Sequence, residues 1–101
     1  MYLFVFFDLP VKTKAERRHA TRFRKFLIND GYDMMQLSVY TRVCRGQDAA
    51  EKHLGRVEKN LPPSGSVRAL QVTERQFARM KLLVGKQSRQ EQTGTDQLVL
   101  L

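Results

Sequence analysis

The first strongly patterned segment is an unbroken apolar run, Tyr2–Phe7, which Asp8, Leu9 and Pro10 close. Its length and aromatic composition predict a β-strand that is buried on both faces. Side chains alternate between the two faces of a strand. This alternation gives one set of Leu3, Val5 and Phe7 and a second set of Tyr2, Phe4, Phe6 and Asp8.

Two helices are predicted downstream. Thr13 and Glu16 have the spacing of a capping box, which marks a helix start, and Gly31 predicts its end. Apolar residues recur between them at helical spacing, namely Ala20, Phe23, Phe26 and Leu27. For the second helix, Asp48 with Glu51 resembles an N-terminal cap, and Pro62 and Pro63 predict its end. Its predicted apolar stripe is Ala50, Leu54, Val57 and Leu61.

The remaining apolar segments predict strands. Asp33–Cys44 alternates as a strand does, and either one long bent strand or two short ones fits the pattern. Val67–Thr73 and Met80–Val84 predict two more strands. Lys86–Gln97 is polar and is expected to be a linker. Leu98–Leu101 is too apolar for a free chain end, so we expect a short edge strand that a partner covers. The predicted domain spans residues 1–85, and residues 86–101 form the linker and C-terminal strand.

This order of elements predicts an α+β, ferredoxin-like βαββαβ fold, whose antiparallel sheet carries both helices on one face. With no third helix predicted, the second apolar face of the first strand needs another cover, and a second copy of the sheet is the simplest one. We therefore expect a homodimer formed by sheet-to-sheet packing. The expected dimer or partner contacts are Phe4, Phe6, Leu98, Val99 and Leu100.

The net charge says more about function than the overall composition does. The chain has 18 Lys and Arg against 10 Asp and Glu, a formal net charge of +8. Such an excess attracts polyanions, and nucleic acid is the usual partner. No apolar run approaches the length of a membrane span, and no signal peptide is evident, so a cytoplasmic location is expected. The single cysteine, Cys44, excludes an internal disulfide and a cysteine-rich zinc site.

The positive charge concentrates in and before the first predicted helix. The expected nucleic-acid-binding residues are Lys12, Lys14, Arg17, Arg18, Arg22, Lys25 and, in the strand region, Arg42. Arg18, Arg22 and Lys25 share one helix face, where like charges four residues apart oppose helix formation. A merely solvated face usually mixes signs, so we favour contact with the phosphate backbone, and nothing in the cluster specifies sequence readout.

Asp8 is the candidate catalytic and metal-binding residue. A carboxylate at the end of an apolar strand must be solvated, paired or bound to a metal. It suits either a turn before Leu9 and Pro10 or a hard cation such as Mg²⁺, which needs few protein ligands. His19 and His53 lack partners at metal-ligand spacing and are expected to be structural or surface residues. The only credible enzyme is therefore a metal-assisted phosphodiesterase.

Several ordered motifs carry a family resemblance. The apolar strand with Asp8, Gly31–Asp33 leading into Gln36–Tyr40, and Thr73–Phe77 before Leu82–Gly85 resemble the small CRISPR-associated adaptation proteins, the second of the numbered Cas families. The resemblance covers residues 1–85. It implies a ferredoxin-like homodimer whose C-terminal segment completes the partner's sheet or docks an integrase subunit.

The resemblance also implies the function. It makes Asp8 the position that binds Mg²⁺ or another divalent cation in a metal-dependent endonuclease. It implies a role in spacer acquisition, in which a central dimer bridges integrase subunits on duplex DNA, and this scaffold role is favoured over catalysis. DNA and RNA both remain open as ligands. The alternative is a toxin-like endoribonuclease of the virulence-associated D type. An RNA-recognition motif is disfavoured because Val67–Thr73 lacks the exposed aromatics that such a sheet uses.

Overall fold

The structure is a computed structural model that describes residues 1–86. Its elements in chain order are β1 (Tyr2–Asp8), α1 (Lys14–Asn29), β2 (Asp33–Gln36), β3 (Val39–Val43), α2 (Gln47–Glu58), β4 (Ser66–Val72) and α3 (Glu74–Ala78). The four strands form one antiparallel sheet in the order β2-β3-β1-β4. The α+β, ferredoxin-like prediction is confirmed. The expected C-terminal strand, with Leu98, Val99 and Leu100, lies outside the described residues.

The first helix begins where the capping box predicts. The backbone N–H of Glu16 donates to Thr13 Oγ1 at 3.1 Å, and the N–H of Thr13 donates to Glu16 Oε1 at 2.9 Å. These two bonds satisfy backbone donors that the first helical turn leaves without partners. At the other end, Gly31 takes a φ of 93°, which is open to glycine and strained for other residues.

One face of the sheet is closed by α1 and α2. Leu3, Val5 and Phe7 of β1 pack there against buried residues of both helices, including Phe23, Leu27, Ala50 and Val57. The ring of Phe7 meets that of Phe23 edge to face, with centroids 5.2 Å apart. Burying such side chains contributes roughly 1.5–3 kcal/mol each. The prediction that both helices lie on one face is confirmed.

The second face has a cover that the sequence analysis missed. α3 places Phe77 over β1, where its ring stacks on that of Tyr2 with centroids 3.8 Å apart and also touches Phe4. The expectation of no third helix is therefore wrong. Thr73 and Gln76 form a second capping box that starts α3.

The structure settles the alternative that the sequence left open for Asp33–Cys44, because this segment forms two strands with a turn at Leu37 and Ser38. Another local prediction is wrong. Met80–Val84 forms no strand, because Met80 packs on the second face beside Tyr2, Phe4 and Phe77 instead of pairing in the sheet.

The cap and stripe predicted for the second helix also need correction. Its N-cap is Gly46 rather than Asp48, which lies inside the first turn, where a carboxylate favours the positive end of the helix dipole. Leu61 lies beyond the end of α2 and is 51% exposed, so it does not extend the apolar stripe. Among the described residues, no helix combines the length and apolar character that crossing a membrane requires.

Candidate functional site

The exposed face of α1 and the loop before it carry an unbalanced positive charge. Five cationic side chains are exposed there, those of Lys12, Lys14, Arg18, Arg22 and Lys25. None of them takes part in an ion pair among residues 1–86. The carboxylate of Glu16 accepts the N–H groups of Lys12 and Thr13, so it faces the helix start. These five of the predicted residues thus share one accessible surface.

Two arginines near this surface already have partners. Arg17 Nη1 donates to the carbonyl oxygens of Val11 and Lys12 at 3.1 and 3.0 Å, which braces the loop before α1. The guanidinium of Arg24 lies 5.8 Å from the centroid of the Phe7 ring, within the range of a cation–π interaction. Both keep their charge near the surface, but their geometry also serves the fold.

Arg42 lies away from the exposed face of α1. Its Nη1 donates to the carbonyl oxygen of Asp30, its Nε donates to that of Val43, and its guanidinium lies against Gly31. It is half-buried and ties β3 to the end of α1. Its predicted contact with nucleic acid stays a prediction.

Asp8 lies at the end of β1, where it is exposed and opposite Ser66 of β4. It borders a cleft of about 300 Å³ whose lining residues are Phe6, Phe7, Asp8, Leu37, Ser38, Val39, Ser66 and Arg68. The turn between β2 and β3 closes one side, because the N–H of Phe7 donates to the carbonyl oxygen of Ser38 at 3.1 Å. The strand and the turn together set the shape of the cleft.

Ser38 is the one described non-glycine residue with a positive φ, at 65°. A left-handed conformation costs a residue with a Cβ about 1–2 kcal/mol. Strained backbone of this kind often occurs where a binding or catalytic site requires a particular geometry. The position of Ser38 on the wall of the Asp8 cleft agrees with that tendency.

The oxygen donors of the cleft fit Mg²⁺. Asp8 supplies a carboxylate, and Ser38 and Ser66 supply hydroxyl oxygens. Within residues 1–86 there is no group of three His, Cys, Asp or Glu side chains able to hold a metal. Mg²⁺ commonly uses one or two carboxylates and fills its other positions with water and phosphate. The residues therefore suit a Mg²⁺ that also contacts a phosphate, rather than an all-protein metal cage.

A polar cluster joins α1 to α2 on the opposite side of the sheet. Asp30 accepts from Arg56 Nη1 at 2.7 Å, and its other oxygen lies 2.9 Å from His53 Nδ1. Burial acts to raise the pKa of Asp30, but these hydrogen bonds and charges hold it below its usual value. Asp30 and His53 are 23 residues apart, so no sequence periodicity reveals the pair. The expectation that His53 is structural agrees with this contact.

The expected dimer contacts differ in accessibility. Phe4 is 7% exposed beneath Phe77, whereas Phe6 is half-buried beside the Asp8 cleft. The exposed side chains of Leu37 and Leu70 continue this apolar surface.

Sequence reasoning missed the place of Arg68 on the same surface. Its only sequence signal is a basic residue within an apolar strand, and the strand pairing that puts it near Asp8 is not visible in the pattern.

The chain closely resembles curated relatives over most of its length. The family model for CRISPR associated protein Cas2 matches residues 1–80. A protein of Acidovorax ebreus named CRISPR-associated endoribonuclease Cas2 is 65% identical over 85 residues, which cover 84% of this chain and 83% of that protein. A protein of the same name from Ligilactobacillus salivarius is 42% identical over 101 residues, with 100% of both chains covered.

These likenesses agree with the α+β fold of the described residues. They favour the CRISPR-associated interpretation over the toxin-like alternative, since the matching relatives share one name. The chain belongs to the CRISPR associated protein Cas2 family.

Proposed function

We propose that this chain is a nucleic-acid-binding component of CRISPR spacer acquisition, in which its homodimer bridges integrase subunits on duplex DNA. The observation that carries the proposal is the exposed α1 face, where Arg18, Arg22 and Lys25 have no ion-pair partner among residues 1–86. Membership of the Cas2 family supports the CRISPR context.

The physical basis of this binding is electrostatic. Each cation that neutralises a phosphate releases condensed counterions, which contributes about 0.9 to the slope of log affinity against log salt on duplex DNA. A helix face of one sign can follow a phosphate backbone without reading bases. The proposed function therefore needs affinity that depends strongly on salt and weakly on sequence, as suits a protein that holds DNA of varied sequence.

Self-association would use the second face of the sheet. Phe6 is half-buried there, and Leu37 and Leu70 are 79% and 52% exposed. A second copy would remove this apolar surface from water, which is the usual source of affinity in a homodimer interface. Phe4, Leu98, Val99 and Leu100 remain proposed contacts, with the last three serving the partner copy or the integrase.

A second candidate function, hydrolysis of nucleic acid, is favoured by the position of Asp8. The Acidovorax and Ligilactobacillus relatives are named endoribonucleases, and Asp8 is exposed in a cleft with oxygen donors. Asp8 would hold Mg²⁺, with Ser38 and Ser66 beside it. When bound, such an ion polarises a phosphate and activates a water. The scaffold role does not require this activity.

The binding proposal is tested by the salt dependence of affinity for duplex DNA. Replacing Arg18 and Arg22 together by Ala should lower the slope of log affinity against log salt by about 2, for every sequence tested. Lys52→Ala with Lys59→Ala is the matched control, because it removes two exposed charges from α2 and its C-cap. An unchanged slope in the α1 variant, or equal losses in both variants, would contradict binding through α1.

The hydrolytic candidate is tested separately with Asp8→Asn. This substitution keeps the shape of the side chain and removes its charge. We expect it to abolish Mg²⁺-dependent cleavage of RNA or DNA, while the protein still binds duplex DNA and still forms a dimer. Cleavage by Asp8→Asn at the wild-type rate would exclude Asp8 from catalysis.

A further inference from the structure

The Asp8 cleft contains one acidic and one basic side chain, Asp8 and Arg68. Arg68 lies opposite Phe6 in the strand register, and Ser66 lies opposite Asp8. Residues paired across neighbouring strands point to the same side of a sheet, so all four side chains belong to the second face. Asp8 and Arg68 are both exposed, and neither takes part in an ion pair among residues 1–86. Arg68 is therefore a cation without an acidic partner in the described part of the chain.

This combination has a clear chemical consequence. A phosphate that approaches the ionised Asp8 is repelled unless positive charge lies beside it. The planar guanidinium of arginine matches two phosphate oxygens at once, and Arg68 is the only basic residue among the described residues that line the cleft. The hydroxyl groups of Ser38 and Ser66 can donate further hydrogen bonds. A volume of about 300 Å³ is at the lower end of the range for small-ligand sites, which suits a single backbone unit.

We infer that Arg68 binds a phosphodiester group of the nucleic-acid backbone in the Asp8 cleft. This inference rests on the proposed function and adds to it a second contact region, which lies on the opposite side of the sheet from α1 and borders the surface proposed for self-association, since Phe6 and Leu37 line the cleft. The turn that carries Ser38 is held in place by its hydrogen bond from Phe7, so one wall of the phosphate site is formed before the ligand arrives.

The experiment measures binding in EDTA, so that neither cleavage nor a divalent cation affects the result. A short fluorescein-labelled DNA duplex and a labelled single-stranded RNA are titrated by anisotropy at several salt concentrations. Arg68→Gln should lower the slope of log affinity against log salt by about 0.9 on the duplex or about 0.7 on the single strand. The arm in which the slope falls identifies the nucleic acid that enters the cleft.

Two further variants control for charge and position. Arg68→Lys keeps the charge and loses the planar fork, so it should retain the wild-type slope with weaker affinity than wild type. Arg45→Gln removes an exposed arginine beyond the far end of β3, and it should leave both slopes unchanged. If Arg68→Gln changes neither slope, or if Arg45→Gln lowers the slope equally, the inference is wrong.

A double-mutant cycle shows whether Asp8 and Arg68 contact the same phosphate. In EDTA, Asp8→Asn should strengthen binding in the wild-type background, because it removes a repelling charge. The same substitution should have little effect in the Arg68→Gln background, where the phosphate is no longer held in the cleft. Non-additivity of this kind marks residues that share a partner. Additive effects would overturn the inference.

The remaining outcomes separate this inference from the proposed function. If the Arg18 and Arg22 double variant loses affinity while Arg68→Gln does not, the cleft inference falls and the α1 proposal stands. If neither loses affinity, both fall. If Arg68→Gln and Asp8→Asn each weaken dimerisation without changing the slopes of log affinity against log salt, the two side chains form an ion pair between subunits. The phosphate site is then excluded.

Discussion

The two faces of the sheet share the strand β1 but are completed differently. Toward α1 and α2, Leu3, Val5 and Phe7 are 1%, 0% and 6% exposed. On the second face, α3 covers Tyr2 and Phe4, whereas Phe6 and the Asp8 cleft stay accessible. The first face is thus closed along the whole strand, and the second is closed only at the Tyr2 end.

The closed face therefore mainly stabilises the fold, whereas the open end of the second face is available for binding. A closed apolar face gains burial along its full length, which is the main favourable contribution to folding. The uncovered end of the second face contributes little burial, yet it presents Asp8, Arg68 and a strained Ser38 beside apolar side chains. Substitutions on the two faces should therefore divide into those that unfold the protein and those that change what it binds.

The largest loss of stability is expected on the closed face. Phe23 is 1% exposed and packs edge to face on Phe7. Phe23→Ala should lower the free energy of unfolding by about 4 kcal/mol, through lost burial and a cavity. Urea denaturation followed by circular dichroism measures this loss. A loss below about 1 kcal/mol would show that the closed face does not dominate stability.

A smaller loss is expected where α3 covers the second face. Phe77 is 1% exposed and stacks on Tyr2, but it belongs to a helix of 5 residues that can shift to fill the space. Phe77→Ala should cost about 3 kcal/mol, the low end for such a truncation. Hydrogen exchange should become faster in α3 and β1 before it does in α2. Uniform acceleration throughout the chain would contradict a local role for α3.

The Asp30 cluster should give a smaller loss that depends on pH. Asp30→Asn should cost about 2 kcal/mol at neutral pH, because hydrogen bonds to a charged group contribute roughly 1.5–3 kcal/mol. Burial acts to raise the pKa of Asp30, but His53 and Arg56 contact its carboxylate and hold the pKa below the unfolded value. The stabilisation is therefore complete above about pH 4 and is lost as the pH falls through the folded pKa.

The wild type and Asp30→Asn should thus differ in stability at neutral pH and converge in acid. Urea denaturation of both proteins across this pH range measures the difference. If the difference is the same at every pH, the ionised carboxylate is not its source.

The smallest effect on folding is expected at the open end of the second face. Leu70 is 52% exposed, and exposed substitutions usually change stability by less than about 0.5 kcal/mol. Leu70→Ser should leave the monomer folded but weaken self-association. Sedimentation equilibrium over a range of concentrations measures this shift. Unfolding of the variant, or an unchanged dimer mass, would contradict a proposed interface on this face.

The same comparison explains what the sequence could predict. The alternation in Tyr2–Phe7 correctly assigned both faces of β1, because side-chain direction along a strand is local. The expectation of no third helix was wrong, although Thr73 and Gln76 carry a capping-box pattern that predicts α3. Met80–Val84 resembled a strand by composition, but whether an apolar run pairs in a sheet or packs on its face depends on distant contacts.

In the candidate site, too, the sequence predicted the features that depend on local pattern and missed those that depend on distant contacts. Asp8 stood out because a single carboxylate ended an apolar strand, and the cationic face of α1 followed from helical spacing. Arg68 did not stand out, since its nearness to Asp8 depends on how β4 pairs with β1. The pairing of Asp30 with His53 also depends on tertiary packing. Local patterns reveal side-chain type and face, whereas partners distant in sequence come from the fold.

Spacer acquisition in cells tests the central claim most directly. The assay uses a strain that carries the integrase and the CRISPR array but lacks the gene for this chain, and new spacers are counted after complementation. We predict that Asp8→Asn restores acquisition, because the scaffold role does not need catalysis, and that the Arg18→Ala, Arg22→Ala double variant does not. Full acquisition with that double variant, expressed at the wild-type level, would contradict the account.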